Sequence, residues 1–341
     1  MSTFVNDIRE QAHSLRVLLD APRSDDVGSV LAGCYDRVIV SGMGASHFAN
    51  YQLWWDLVAA GVPAWWVEAG ELLYGAATLI RGRTLLWLTS QSGQSGEVLA
   101  LLDQLPPHQY VTVLAVTNDV HSPLARRADA VVDICAGNEH AVGTRTYLNT
   151  LAANHLYGAA LSGASVDAAA AEIAVGHDRL TSFLSTEWDE RLRETRTALG
   201  SVRRLIVLGR GRSIGNAASA ALTIKEAAKF HAEGMSASQF RHGVIELANE
   251  DLTVVVMPSE RQHKELDERL GLELVRYGAR VVWVGHDGPL ALPSVARVAD
   301  NGFARYLTEV VPLQLAGVVL AAQSQIVPGE FVHATKVTST L

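Results

Sequence analysis

Between two apolar runs, Thr84-Leu85-Leu86-Trp87-Leu88 and Glu97-Val98-Leu99-Ala100-Leu101-Leu102, stands a stretch dense in hydroxyls: Thr89-Ser90-Gln91-Ser92-Gly93-Gln94-Ser95-Gly96. Hydroxyls at this spacing suit the holding of a phosphate without any cation. The run before the stretch is too short for a helix and predicts a buried parallel strand. The run after it carries apolar residues at helical spacing. A strand, a tight turn and a helix start together direct main-chain N–H groups at one point, with the positive end of the helix dipole behind them. Ser90, Ser92 and Ser95 add hydroxyl donors. Taken alone, the residues also permit a Ser/Gly turn with one N-cap.

The elements around this loop occur twice. Arg37-Val38-Ile39-Val40-Ser41-Gly42-Met43-Gly44-Ala45-Ser46 is echoed, 167 residues on, by Arg204-Leu205-Ile206-Val207-Leu208-Gly209-Arg210-Gly211-Arg212-Ser213. Each reads as a buried strand, a Gly-x-Gly-x-Ser turn and an Ala-rich helix. The strand before Ser90 is matched by Leu252–Met257, and Val111–Val116 by Ala279–Val284. Short β-branched runs alternating with helical stretches imply βαβ units. The fold class expected is α/β, with two tandem three-layer α-β-α domains, each around a parallel sheet.

The domain plan follows the same pattern. Residues 1–30 form an N-terminal helical segment, with a helix from about Asp7 to Leu19. Residues 31–163 make the first domain. Residues 164–200 are a helical connector (Val166 through Ala174, then Glu187 to Thr197), and residues 201–328 the second domain. A long apolar helix, Val310 to Ala322, precedes an extended tail over 329–341. Only the first domain carries the serine loop. The second has Met257-Pro258-Ser259-Glu260-Arg261-Gln262 in its place, where Pro258 lacks an N–H and Glu260 repels phosphate.

At 341 residues the chain has room for two ordinary domains. A hydrophobic content of 48% supplies sizeable cores, and a net charge of −8 with no basic stripe argues against nucleic acid. Cys34 and Cys135 stand in no metal or redox spacing and are expected as buried small hydrophobes. Met1–Asp7 lacks the character of a signal peptide, and no run of 18 uncharged apolar residues suggests a membrane span. The expectation is a soluble cytoplasmic protein. Gly42-x-Gly44 after a strand, with Glu68 or Glu71 downstream, invites a dinucleotide reading. However, His47 and, in the second domain, Ile214 stand where the third glycine should be. No metal and no cofactor is expected. His47, Trp54, Trp55, Trp65 and Trp66 are read as packing or rim residues, with the tryptophan pairs suited to a subunit contact.

The Gly42–Ser46 turn, the Ser90–Ser95 loop and the repeat together resemble the tandem SIS (sugar isomerase) domain proteins, most of all the isomerase half of glucosamine-6-phosphate synthase. Gly209-Arg210-Gly211, Ile224-Lys225-Glu226, His231-Ala232-Glu233 and Phe240-Arg241-His242-Gly243 carry the resemblance through the second domain, and Lys336 carries it into the tail. The resemblance implies that Ser46, Ser90, Gln91, Ser92 and Ser95 grip a sugar phosphate. It implies that Glu226 moves a proton between C1 and C2, and that His242, reaching the site from the other subunit of a homodimer, opens the ring. Lys336 would close over the substrate, while Gly44, Glu139 and Thr144 would stand near the pocket. These residue types suit the chemistry: a carboxylate for carbon–proton transfer, an imidazole for acid–base work near neutrality, a cation beside developing negative charge. On the residues alone, Glu226 could instead pair with Lys225 or Lys229, His242 could be a turn residue, and Lys336 a surface lysine.

Two departures bear on substrate. The synthase pattern has an acid seven residues and a lysine three residues before the catalytic carboxylate, where this chain has Ser219 and Thr223. The resemblance extends only to the synthase's isomerase half, and a glutaminase half with an N-terminal cysteine is not expected. The function expected is a phosphosugar isomerase or deaminase acting on an amino-sugar phosphate. The alternatives are a fructosamine-6-phosphate deglycase and a non-catalytic sugar-phosphate sensor.

Overall fold

The computed structural model describes every residue except Met1, residues 106–109 and 186–187, Ser259, Ala334 and Leu341. Glu187, expected to open the second connector helix, and Ser259 in the second domain's loop therefore lie outside the described residues, as does Leu341 at the end of the tail. Two compact units divide the chain. One comprises His13–Ile173 with Phe331–Leu341, here the first unit; the other, Met1–Ala12 with Ala174–Glu330, is the second.

The N-terminal region is two helices and not one: α1 (Thr3–Arg9) and α2 (Gln11–Asp20) are separated at Glu10. The Ser2 hydroxyl caps α1 by accepting from the Val5 N–H. In the first unit there follow α3 (Asp25–Leu31), β1 (Arg37–Gly42), α4 (Gly44–Ala59), β2 (Ala64–Trp66), α5 (Ala69–Glu71), β3 (Thr84–Thr89), α6 (Gly96–Gln104), β4 (Val111–Thr117), β5 (Ala130–Asp133) and α7 (Arg145–Leu161). Residues 164–200 hold α8 (Val166–Ser185) and α9 (Trp188–Leu199), and the boundary between the two units falls within α8. The second unit continues with β6 (Arg204–Gly209), α10 (Ser213–Ala228), β7 (Ala232–Ser236), α11 (Ala237–Phe240), β8 (Leu252–Val256), α12 (Lys264–Arg276), β9 (Arg280–Val284), β10 (Ser294–Val295), α13 (Gly302–Thr308) and α14 (Val311–Gln323).

All strand pairs are parallel. The first sheet runs β2-β1-β3-β4-β5 and the second β10-β9-β8-β6-β7. Renumbered within its own unit, each sheet has the order 2-1-3-4-5, so the repeat read from the sequence extends to topology. Every residue of β3 is buried, as a strand covered on both faces requires. In the second unit, alternate strand residues fill two cores. Leu205, Val207, Val255 and Val282 pack with Ala217, Ala220 and Ile224 of α10. Ile206, Leu208, Val254 and Val281 pack with Leu270 and Leu274 of α12 on the other face. The stretch Gly302–Gln323 is long and apolar enough to cross a membrane, yet 94% of its apolar window is buried, as in a core helix.

Candidate functional site

A parallel sheet binds ligands outside the carboxyl ends of its strands, at the point where the strand order reverses. In the first unit that point lies between β1 and β3. The two segments that leave these strands are the Gly42–Ser46 turn and the serine loop. A Cβ on Gly42 would lie 2.6 Å from the Thr89 carbonyl oxygen, so only glycine lets the turn come so close to the residue before Ser90. Gly44 takes the left-handed conformation, with φ of 51°, and starts α4.

The loop is tied down through its carbonyls. The Gln91 carbonyl accepts from the Asn118 N–H (3.0 Å) and the Thr117 hydroxyl (3.3 Å), and the Gly93 carbonyl from the Leu124 N–H (3.1 Å). Among the described residues, the main-chain N–H groups of Gln91, Ser92 and Ser95 have no hydrogen-bond acceptor. The Ser90 and Ser95 hydroxyls lie 2.9 Å apart, and Ser95 does not cap α6 although it precedes it. Gly93 adopts φ of 60°, and a Cβ there would meet the Ser122 hydroxyl at 2.0 Å. The loop thus presents donors with its acceptors turned into the fold, an arrangement suited to an anion.

A polar web beneath the loop fixes these strand ends. Asn50 of α4 donates to the Ser41 carbonyl (3.0 Å) and accepts from the Thr89 hydroxyl (2.8 Å) and from Asn154 of α7 (2.9 Å). The Trp87 indole N–H reaches the Asn154 side-chain oxygen (3.2 Å). Sequence reasoning missed Asn50 and Asn154; the signal available was two asparagines on helices otherwise rich in apolar and small residues. His47 stacks on Trp66 with ring centroids 4.0 Å apart, and burial pushes its pKa down to about 4, which keeps the imidazole neutral. The Trp66 indole donates to the His47 carbonyl and that of Trp54 to the Ala64 carbonyl, so both pin the β2 edge to α4. Trp55 and Trp65 remain partly exposed.

Glu139, Thr144 and Lys336 come together, but not as an open pocket wall. Thr144 is fully buried and gives both its N–H (2.8 Å) and its hydroxyl (2.9 Å) to one Glu139 carboxylate oxygen. The other oxygen accepts from the Thr146 hydroxyl (2.6 Å) and the Lys336 ammonium (2.7 Å). Burial alone would raise the Glu139 pKa; the Lys336 charge and the hydrogen bonds outweigh it and hold the carboxyl below its usual range.

In the second unit Glu226 lies near the end of α10, partly exposed, and its main-chain carbonyl accepts from Lys229. Ser219 and Thr223, on the same helix, are both buried. His242 sits exposed in the turn after α11, where Gly243 takes φ of 114°. It lines a groove of about 960 Å³ with Arg210, Arg241, Arg269, Glu273 and Arg276. At this unit's own reversal point, between β6 and β8, the Glu260 carboxylate accepts from Arg212 (3.0 Å) and the Tyr306 hydroxyl (2.7 Å). An internal carboxylate thus meets the donors there. One expectation fails: Cys34 is exposed and Cys135 half-buried, because both lie in loops outside the sheet. Burial pushes the Cys135 thiol up to about 11, so it is no nucleophile near neutrality.

Known proteins share this architecture. The glutamine–fructose-6-phosphate aminotransferase (isomerizing) of Pyrococcus horikoshii is 30% identical over 300 residues, covering 84% of this chain and 49% of its own length. The chain therefore spans about half of that relative. Among solved structures, the tagatose-6-phosphate ketose/aldose isomerase of Escherichia coli aligns with a TM-score of 0.82 at 21% identity, covering 97% of this chain and 96% of that one. The glucosamine-6-phosphate deaminase of Thermotoga maritima aligns with a TM-score of 0.78 at 20% identity, covering 98% and 100%. At these identities the two structures speak for the fold alone. The SIS domain family matches residues 33–160 and 198–299, one segment in each half of the repeat. The chain belongs to the SIS domain family.

Proposed function

We propose that the protein is a phosphosugar isomerase or deaminase acting on an amino-sugar phosphate such as glucosamine 6-phosphate. The observation that carries this reading is the serine loop at the first sheet's reversal point, with its acceptors tied into the fold and its donors available. In this reading Ser90, Gln91, Ser92 and Ser95 hold the phosphate, with Ser46 contributing from the neighbouring turn. His242 opens the ring, acting from the partner subunit of a homodimer. Glu226 takes the proton from C2 of the open aldose, leaving an enolamine, and returns it to C1. The C2 imine that results adds water and releases ammonia, giving the ketose phosphate. Lys336 supports the negative charge that develops on oxygen. None of these steps requires a metal or cofactor, and we place the reaction in the cytoplasm.

The 30% identity to an isomerizing glutamine–fructose-6-phosphate aminotransferase supports this class of chemistry. A second reading, cleavage of a phosphorylated fructosamine, is favoured by the neutral Ser219 and Thr223 near Glu226. Incubation with glucosamine 6-phosphate, with assay of ammonia and ketose phosphate, tests the first reading; a phosphorylated fructosamine in the same assay tests the second. Binding of both sugars with turnover of neither would leave a sugar-phosphate sensor.

A further inference from the structure

Glu139 is a side chain with no exposed surface, and hydroxyl, amide and ammonium donors meet both of its oxygens. Such a carboxylate, held ionised, has no lone pair directed at a substrate and does no proton transfer. Its role lies in what it holds. The Lys336 ammonium gives one N–H to Glu139 and a second to the Ala141 carbonyl at 2.6 Å. Among the described residues its third N–H has no partner. Two residues further on, the Thr338 carbonyl accepts from the Gly96 N–H at 3.2 Å, in the first turn of α6. A Cβ on Gly96 would lie 3.1 Å from the Ser339 carbonyl oxygen, so the tail lies directly on that turn. The same turn follows Ser95, the last residue of the serine loop.

An irregular C-terminal segment is ordered only where something ties it down. Here one tie is the Gly96 contact and the other is the Glu139–Lys336 pair. Removing one member of a buried pair leaves the other charge uncompensated, so each strongly depends on its partner. The pair fixes the ammonium in place and still leaves it one donor for a substrate oxygen.

We propose that Glu139 is a positioning residue that holds Lys336 in place for the reaction and, through it, seats the tail beside the serine loop. The proposal rests on the phosphosugar reading for its effect on catalysis, but not for its effect on the tail.

The test pairs hydrogen exchange with kinetics, on Glu139→Gln, Glu139→Asp and Lys336→Met. Without substrate, Glu139→Gln and Lys336→Met should each speed exchange of the Gly96 amide, whose acceptor is the Thr338 carbonyl of the tail, with the amides of β3 and β4 unaffected. With substrate, Glu139→Gln should lower kcat about tenfold to a hundredfold, the scale of a misplaced catalytic group, with KM changed less. The double variant Glu139→Gln/Lys336→Met should be no slower than Lys336→Met alone, and Glu139→Asp should recover part of the rate. Wild-type protection of the Gly96 amide in both single variants would overturn the proposal, as would additive losses in the double variant. Should Glu139→Gln fail to fold through loss of the Thr144 and Thr146 bonds, the Gly96 protection of Lys336→Met decides alone. A wild type that turns over no sugar phosphate overturns the functional reading, while the exchange data still decide the tie.

Discussion

A serine hydroxyl offers a phosphate one hydrogen bond and no charge, so a grip made of serines depends on their number and placement. Ser90 and Ser95, whose hydroxyls hydrogen-bond to each other at 2.9 Å, would serve one anion in the proposed reading. Ser95→Ala should raise KM for a phosphorylated sugar about tenfold, the cost of one hydrogen bond to a charged group, with kcat changed less. Steady-state kinetics read this, and an unchanged KM would remove Ser95 from the site. Glu226→Gln should keep substrate affinity while kcat falls at least about a hundredfold, the usual contribution of an acid–base group. A variant within a few-fold of wild type would mean that the proton moves elsewhere. The serines were legible because their types declare a chemistry. The saturation of Glu139 was not, since its donors Thr144, Thr146 and Lys336 converge only in three dimensions. Nor was the use of Lys229, which bonds the main-chain carbonyls of Glu226 and Glu330 and thereby closes the end of α10.

Strands buried on both faces announce themselves as continuous apolar runs, and β1, β3, β4, β6, β8 and β9 were legible for that reason. The short edge strands β2, β5, β7 and β10 carry too few apolar residues to stand out, yet they complete the 2-1-3-4-5 order that locates the site. The break at Glu10 escaped notice because α1 and α2 share a composition that continues through it. The contact between α4 and β2 makes a pH prediction. His47, neutral and stacked on Trp66, has its pKa lowered by burial from 6.5 to about 4. A depressed histidine pKa means that the unfolded chain takes up the proton first. The stability is therefore full above pH 6.5 and declines as pH falls from there toward 4, by roughly 3 kcal/mol for a shift of this size. Chemical denaturation at a series of pH values reads this decline. His47→Phe should flatten it, and an equal slope in the variant would assign it to other groups.

In the proposed reading the serine loop is the anion site, and Glu226, His242 and Lys336 supply the remaining chemistry. The exposed position of His242 suits a group that works beyond its own subunit. Dilution that dissociates a homodimer should then abolish turnover, read as specific activity against protein concentration alongside light scattering. Full activity in a proven monomer would show that His242 serves its own chain or none. Every step of the account begins with a phosphate in the loop over residues 90–95. A crystal structure with glucosamine 6-phosphate bound tests that most directly. The phosphate oxygens should lie about 3 Å from the Ser90, Ser92 and Ser95 hydroxyls and from the Gln91 and Ser92 main-chain nitrogens. A sugar phosphate bound elsewhere, with this loop empty, would contradict the account.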